Sequence, residues 1–175
     1  MRIHRFHKVA TFPWLIAAMT GSSLAAMGEA ENKVSAALIY NLVRFVEWPS
    51  AAVTDGYLDI CLLEEADIHH ALLPLDGRQA GSLTIRYRSD LLDDGLPDCE
   101  VAIAITTSGA ARLAHVSTST LTVGMPDGFV KRDGIIEIYY RDGKVKFAVN
   151  AERARGADLH ISSKVMPLAD EVIGR

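Results

Sequence analysis

The 175-residue chain has only two cysteines, Cys61 and Cys99. Neither follows the apolar stretch near its start, so no thiol is available there for a lipid anchor, which excludes attachment as a lipoprotein. Two Cys with the adjacent His69 and His70 supply too few ligands at a recognisable spacing for a metal centre. The chain also lacks a glycine-rich dinucleotide fingerprint behind a strand, a phosphate-cradling loop ending in Gly-Lys-Ser/Thr, a nucleophile elbow and a paired-histidine zinc helix. These absences leave no catalytic residue and no cofactor to assign. There is no excess of basic residues: 18 Lys and Arg against 22 Asp and Glu give a net charge of −4. Nucleic acid is therefore a poor partner. No repeat, linker or low-complexity tract interrupts the sequence.

What is present begins with an export signature. Arg2, Arg5 and Lys8 form a positive n-region, and no Asp, Glu, Lys or Arg occurs from residue 9 to residue 28. Phe12, Trp14, Leu15 and Ile16 carry the apolar weight. Pro13 and the polar residues 20–23 break its character, which favours a cleaved signal over a retained anchor, although the run is long enough to span a bilayer. Residues 1–30 are read as a signal peptide with an unfixed cut among Ser23, Ala25, Ala26, Gly28 and Ala30. The mature domain, 31–175, has no stable membrane insertion and is of single-domain length. Loss of Arg2, Arg5, Lys8 and Glu29 moves the net charge from −4 to −6.

Behind the signal, Val34, Leu38, Leu42 and Phe45 recur with helical period, predicting a buried helix over 33–47 that Pro49 stops. Strands are expected at 57–63, 82–88, 99–106 and 120–124, with short helices at 66–74 and at 108–115, the latter capped by Ser108. Strands alternating with helices predict a mostly parallel sheet covered on both faces. Two further strands, 135–140 and 144–149, flank Arg141-Asp142-Gly143, a hairpin signal, and read as an antiparallel pair at the sheet edge. Asn150 is expected to cap a helix over 151–155 that Gly156 ends. A last helix is expected from Ser162 or Ser163 to about residue 173, with Pro167 in its first turn. The fold class is thus a single-domain α/β sandwich with a C-terminal antiparallel hairpin.

Candidate chemistry is sparse. Residues 124–134, with Gly124, Gly128, Lys131, Arg132 and Gly134, read as an anion-binding loop or a plain connector. Asp93 and Asp94, beside Gly95 and Pro97, read as turn residues rather than an acid-base pair. Ser162, Ser163 and Lys164 lack the spacing of an acyl-transfer site and fit helix capping. His115 and His160 are isolated. Cys61 and Cys99 lie in strand-like runs and form either a disulfide or two small buried hydrophobes, depending on sheet order. A bridge closing that loop would contribute about 4 kcal/mol in the chain-entropy model.

One pattern is more specific. Tyr40, Asn41, Phe45, Glu47, Trp48 and Pro49 in the first helix, Phe147, Val149 and Asn150 at a strand end, and Leu159, Ile161, Ser162, Ser163, Lys164, Leu168 and Ala169 near the C-terminus resemble the YfiR family in the same order. The resemblance spans nearly all of the mature chain. It implies an exported, non-enzymatic bacterial protein whose best-known kind binds the periplasmic sensor domain of an inner-membrane diguanylate cyclase. That binding represses cyclic-di-GMP synthesis and biofilm formation. Self-association into a homodimer is left open. Two departures stand out: Ala148 where the family often has an acid, and Met166-Pro167 at the start of the last helix.

Phe45, Trp48, Phe147, Val149 and Leu168 are apolar at core spacing, so their expected role is to hold the sandwich together. Arg44, Glu47, Arg153 and Arg155 are polar where structure does not require it and are the candidates for partner contact. The alternative function is a periplasmic small-molecule receptor module, with a pocket at the carboxyl ends of the strands that Trp48 would line.

Overall fold

The computed structural model describes residues 21–89, 98–113, 116–132 and 134–174. Residues 1–20 of the expected signal, the pair Asp93 and Asp94, and His115 lie outside the described residues. The chain runs α1 (Gly21–Val43), β1 (Val46–Glu47), β2 (Tyr57–Leu62), α2 (His69–Leu72), β3 (Gln79–Ala80), β4 (Leu83–Arg88), β5 (Val101–Ala104), α3 (Thr107–Arg112), β6 (Leu121–Gly124), β7 (Ile136–Arg141), β8 (Lys144–Asn150), α4 (Ala151–Gly156), β9 (His160–Ile161) and β10 (Glu171–Ile173).

Eight strands form one sheet in the order β10-β8-β7-β6-β5-β2-β4-β3, while β1 and β9 form a separate two-stranded ribbon. The pairings among β4, β2, β5, β6 and β7 are parallel. Their apolar runs (Leu58, Ile60, Leu62; Val101, Ile103; Leu121, Val123) alternate with Cys61, Ala102 and Ala104. This splits the core in two. The larger side packs under Ala36, Ile39, Leu42 and Val43 of α1 and Leu72 of α2. The smaller is covered by Leu113, which follows α3, and by Phe129. An α/β sandwich with a mostly parallel sheet and helices on both faces is what the alternating pattern predicted.

The hairpin forms as expected: Asp142 and Gly143 both take positive φ, 54° and 73°, and β7 pairs antiparallel with β8 from Ile136–Val149 to Arg141–Lys144. It is not, however, at the sheet edge. The expected last helix is absent; after a single 3-10 turn at Met166–Leu168, Ala169 turns extended, and β10 adds to β8 in parallel. Asp170 starts this switch by donating its amide to the Phe147 carbonyl at 2.9 Å. Pro167 sits inside the 3-10 turn, and the following Val172 and Ile173 are β-branched, which suits a strand.

Two other boundaries move. The first helix ends at Val43, not Glu47, because residues 45–47 exchange helical hydrogen bonds for pairing with β9. Pro49 therefore stops no helix; its carbonyl accepts the Ala52 amide in a turn at 2.9 Å. The cap of α3 is Thr106, whose hydroxyl accepts the Gly109 amide at 3.1 Å, so Ser108 lies inside the helix. Asn150 caps α4 as predicted, accepting the Arg153 amide at 2.9 Å.

Cys61 and Cys99 are joined in a disulfide with Cα atoms 6.1 Å apart. Strand β2 lies beside β5, and Cys99 enters β5 two residues upstream of its first residue. The sheet order thus supplies the proximity that sequence left open.

Candidate functional site

The two-stranded ribbon unites residues far apart in sequence. Val46 faces Ile161 and Glu47 faces His160 in antiparallel register, and the Ser162 amide donates to the Phe45 carbonyl at 2.9 Å. The helix-end segment and the Leu159–Lys164 segment therefore make one structure. Alternation puts Val46 and Ile161 in the core and leaves Glu47 and His160 exposed. Arg44 is also exposed, and Phe45 is 40% exposed. That corrects the expectation for Phe45: it projects outward because the helix has ended before it. Leu168, also expected in the core, is 72% exposed, since the helix that would have buried it does not form.

Other motif residues are structural. The Tyr40 hydroxyl donates to the Gln79 carbonyl at 3.0 Å, tying α1 to β3. The Arg44 and Arg78 guanidinium carbons lie 5.5 and 5.4 Å from its ring centre. Asn41 donates to the Ala37 carbonyl within the helix. Trp48 is half-buried and its indole N–H donates to the Glu100 carbonyl at 3.2 Å. Glu100 precedes β5, so Trp48 sits at the amino ends of the strands and does not line a crevice at their carboxyl ends. Phe147 and Val149 are buried. Ser163 and Lys164 are exposed and cap no helix; the Ser162 hydroxyl accepts the Lys164 amide at 3.4 Å. Arg155 donates to the Gly174 carbonyl at 2.7 Å, fastening the C-terminal end to α4. Arg153 lies on the same short helix.

Four buried or half-buried carboxylates were missed by sequence reasoning. Asp59 is 3% exposed and faces Arg86 across the β2–β4 pairing. Arg86 grips it through Nε and Nη2 at 2.6 and 2.9 Å, and Arg88 stands 3.5 Å away. Beside them Glu100 accepts the Asp59 amide at 2.7 Å. Burial, and secondarily the charges of Asp59 and Asp55, raise the Glu100 carboxyl above the ordinary glutamate range despite that hydrogen bond. These groups line a polar cleft of about 510 Å³.

The third is Glu137. Its two oxygens accept the amides of Gly128 and Val130 at 2.9 and 3.1 Å. The 124–134 loop does cradle an anion, but one supplied by the chain itself. Ala148 lies between Glu137 and Glu171 in the register of β7, β8 and β10. An acid there would set three carboxylates in a row, which gives a physical reason for the alanine.

A different carboxylate, half-buried Glu64, organises the β5–α3 junction. It accepts the Ile105 and Thr106 amides at 2.6 and 2.7 Å and the Thr106 hydroxyl at 2.5 Å. Burial raises its carboxyl, but these hydrogen bonds outweigh burial and hold it below the ordinary range. A Cβ at the neighbouring Gly109 would run into the Glu64 carboxylate, so a larger residue there would have to displace Glu64 from these hydrogen bonds. Among the described residues, no group of three His, Cys, Asp or Glu side chains is placed to hold a metal, and no helix is long and apolar enough to cross a membrane.

The order of motif segments, their convergence in the ribbon and the sheet behind them can be set against known proteins. A family model described as YfiR/HmsC-like matches residues 32–170. The chain belongs to the YfiR/HmsC-like family. The family is regulatory rather than catalytic, and the match covers every element that packs into the core from α1 to the turn before β10. Among curated proteins none matches the chain. A solved structure of a conserved domain protein from Vibrio cholerae is similar, with a TM-score of 0.48 at 11% identity over 81% of this chain and 60% of that chain. The chain thus spans about 60% of the length of that protein. In this YfiR/HmsC-like chain Trp48, Phe147, Val149 and Asn150 help build the sandwich, while Phe45 and Glu47 are exposed close to exposed Arg44.

Proposed function

We propose that the mature protein is a periplasmic regulator that binds the sensor domain of an inner-membrane diguanylate cyclase and holds it in its inactive state, lowering cyclic-di-GMP. The observation that carries this reading, beyond family membership, is the exposure of Phe45, which stands in the turn leading into the ribbon next to Arg44 and two residues before Glu47. A large aromatic side chain flanked by opposite charges, on a rigid element, is the composition of an interaction hot spot. The fold gains little from leaving Phe45 in water, so a partner's surface is the natural cover.

Export fits the same picture. From Gly28 onward the first buried residues of α1 are Ser35 and Ala36, so a cut at any of the small residues up to Ala30 keeps those packed residues in the mature chain. The mature domain 31–175 would then act stoichiometrically, biasing a two-state partner by binding one state better.

The test is deletion of the gene with measurement of cellular cyclic-di-GMP, followed by complementation. Deletion should raise cyclic-di-GMP, and wild-type protein should restore it. Phe45→Ala should fold with unchanged thermal stability yet fail to restore repression, with partner affinity falling about thirtyfold, the weight of a ~2 kcal/mol hot spot. An unchanged cyclic-di-GMP level in the deletion strain, at rest and under envelope stress, would overturn the proposal.

A further inference from the structure

Two guanidiniums from different elements meet on one aromatic ring. Arg44 follows Tyr40 by four residues, at the turn that ends α1, and Arg78 immediately precedes β3. Their guanidinium carbons lie 5.5 and 5.4 Å from the Tyr40 ring centre, within the ~6 Å reach of a cation–π contact. The ring is fixed in place. It is half-buried against the core, and its hydroxyl donates to the Gln79 carbonyl at 3.0 Å. Both arginines are exposed.

What these two guanidiniums lack is an acceptor. Among the described residues neither has a carboxylate at ion-pair distance or a side-chain hydrogen bond, and the Tyr40 ring is the one group each touches. A ring takes the flat face of a guanidinium and none of its five N–H donors. The nearest acids in sequence are placed otherwise: Asp76 accepts the Tyr87 amide at 2.9 Å, and Glu47 stands opposite His160 in the ribbon. Elsewhere Arg86, Arg88 and Arg141 face acids, and Arg112, Arg132 and Arg155 donate to carbonyls. In a chain of net charge −4, two exposed arginines kept clear of acids run against the prevailing sign.

Stacking holds both guanidiniums in position, so less rotamer freedom is lost on binding than for untethered surface arginines. Their open N–H edges match carboxylates in geometry and charge. Exposed Phe45, next to Arg44, adds an apolar contact. A protein segment suits this surface better than a bilayer does: recognition of anionic headgroups takes clusters of about four to eight basic residues, and exposed Glu47 and the acid-rich chain oppose it. We propose that Arg44 and Arg78, seated on Tyr40, bind the carboxylates of an acidic segment in the membrane partner's periplasmic domain. The nature of that partner rests on the regulatory reading above; the acid-reading chemistry of the surface does not.

Titration of the mature protein at low ionic strength, followed through arginine Nε–H resonances, tests the surface with two peptides, acetyl-Glu-Glu-Leu-Glu-Glu-amide and its Gln counterpart. The acidic peptide should shift Arg44 and Arg78 saturably, and the Gln peptide should bind about tenfold more weakly. Arg44→Gln and Arg78→Gln should each weaken the acidic peptide about tenfold, whereas Lys144→Gln, which removes a charge from the β7–β8 hairpin, should not. Phosphatidylglycerol vesicles should leave both resonances unmoved. In the deletion strain, Arg44→Glu and Arg78→Glu should each fail to restore low cyclic-di-GMP. Equal binding of the two peptides, an equal loss from Lys144→Gln, or vesicle binding through Arg44 and Arg78 would overturn the proposal. So would full repression by both charge-reversed proteins in a strain where deletion raises cyclic-di-GMP. If deletion leaves cyclic-di-GMP unchanged, the regulatory reading fails by itself, and the peptide titrations on the unmodified protein still decide whether the surface reads acids.

Discussion

At Glu100, burial and the charges of Asp59 and Asp55 favour the protonated acid in the folded state. A carboxyl whose folded pKa is raised contributes stability that is fully present below its unfolded value, about 4.3, and is lost as pH rises through the folded value. Glu100→Gln keeps an acceptor for the Asp59 amide without the charge. It should therefore raise the melting temperature at pH 7, with the gain vanishing below about pH 4; a difference that persists unchanged at pH 3.5 would refute this. Arg86 acts in the opposite sense. Arg86→Ala strips the bidentate partner from buried Asp59, a loss of about 2–3 kcal/mol by chemical denaturation. This falls below the ~3–5 kcal/mol of fully buried pairs because Arg86 is itself half-exposed and Arg88 remains nearby. None of Asp59, Glu64, Glu100 or Glu137 was legible as a site residue in the sequence. Asp59, Glu64 and Glu100 have partners far along the chain that only the sheet brings together, and Glu137 meets the Gly128 and Val130 amides only through the turn that precedes its strand. Asn150 was legible because capping is local, its partner amide lying three residues on.

Elements held by a period or a turn signal were readable, and those held by distant pairing were not. The alternation of β2, β5 and β6 and the Asp142–Gly143 hairpin depend on neighbours in sequence, and the structure follows them. The α1 terminus depends on β9, more than a hundred residues away, and β10 depends on β8. Residues 163–173 contain Leu168, Ala169 and Glu171, all good helix formers, and three strand residues give no periodicity to weigh against them. Strand β10 nevertheless covers the β8 edge, and Asp170 anchors it, accepting the Tyr139 hydroxyl at 2.7 Å and pairing with Lys146 at 3.1 Å. Truncation before Asp170 should leave β8 as a bare edge, lowering the denaturation midpoint and producing higher-order species by size-exclusion chromatography. A monomeric, equally stable truncated protein would show that β10 is dispensable. Phe45→Ala, by contrast, removes no packed atom of the ribbon's inner face and should leave stability within about 0.5 kcal/mol of the parent.

For the molecule as a whole, fold class and family were within reach of the sequence, because hydrophobic alternation and the motif segments run along nearly the entire domain. The ribbon that collects those segments was not. The Cys61–Cys99 bridge joins β2 to the entry of β5 across 38 positions of chain, a loop worth about 4 kcal/mol in the chain-entropy model. Replacing both cysteines by alanine should cost about 2–4 kcal/mol in denaturant unfolding, with the native sheet retained in circular dichroism. The same bridge makes α2, β3 and β4 part of a covalent ring. A single protease cut anywhere between residues 62 and 98 would open that ring without dividing the molecule. The nicked protein would migrate as one band on a denaturing gel until reductant is added, and as two fragments afterwards.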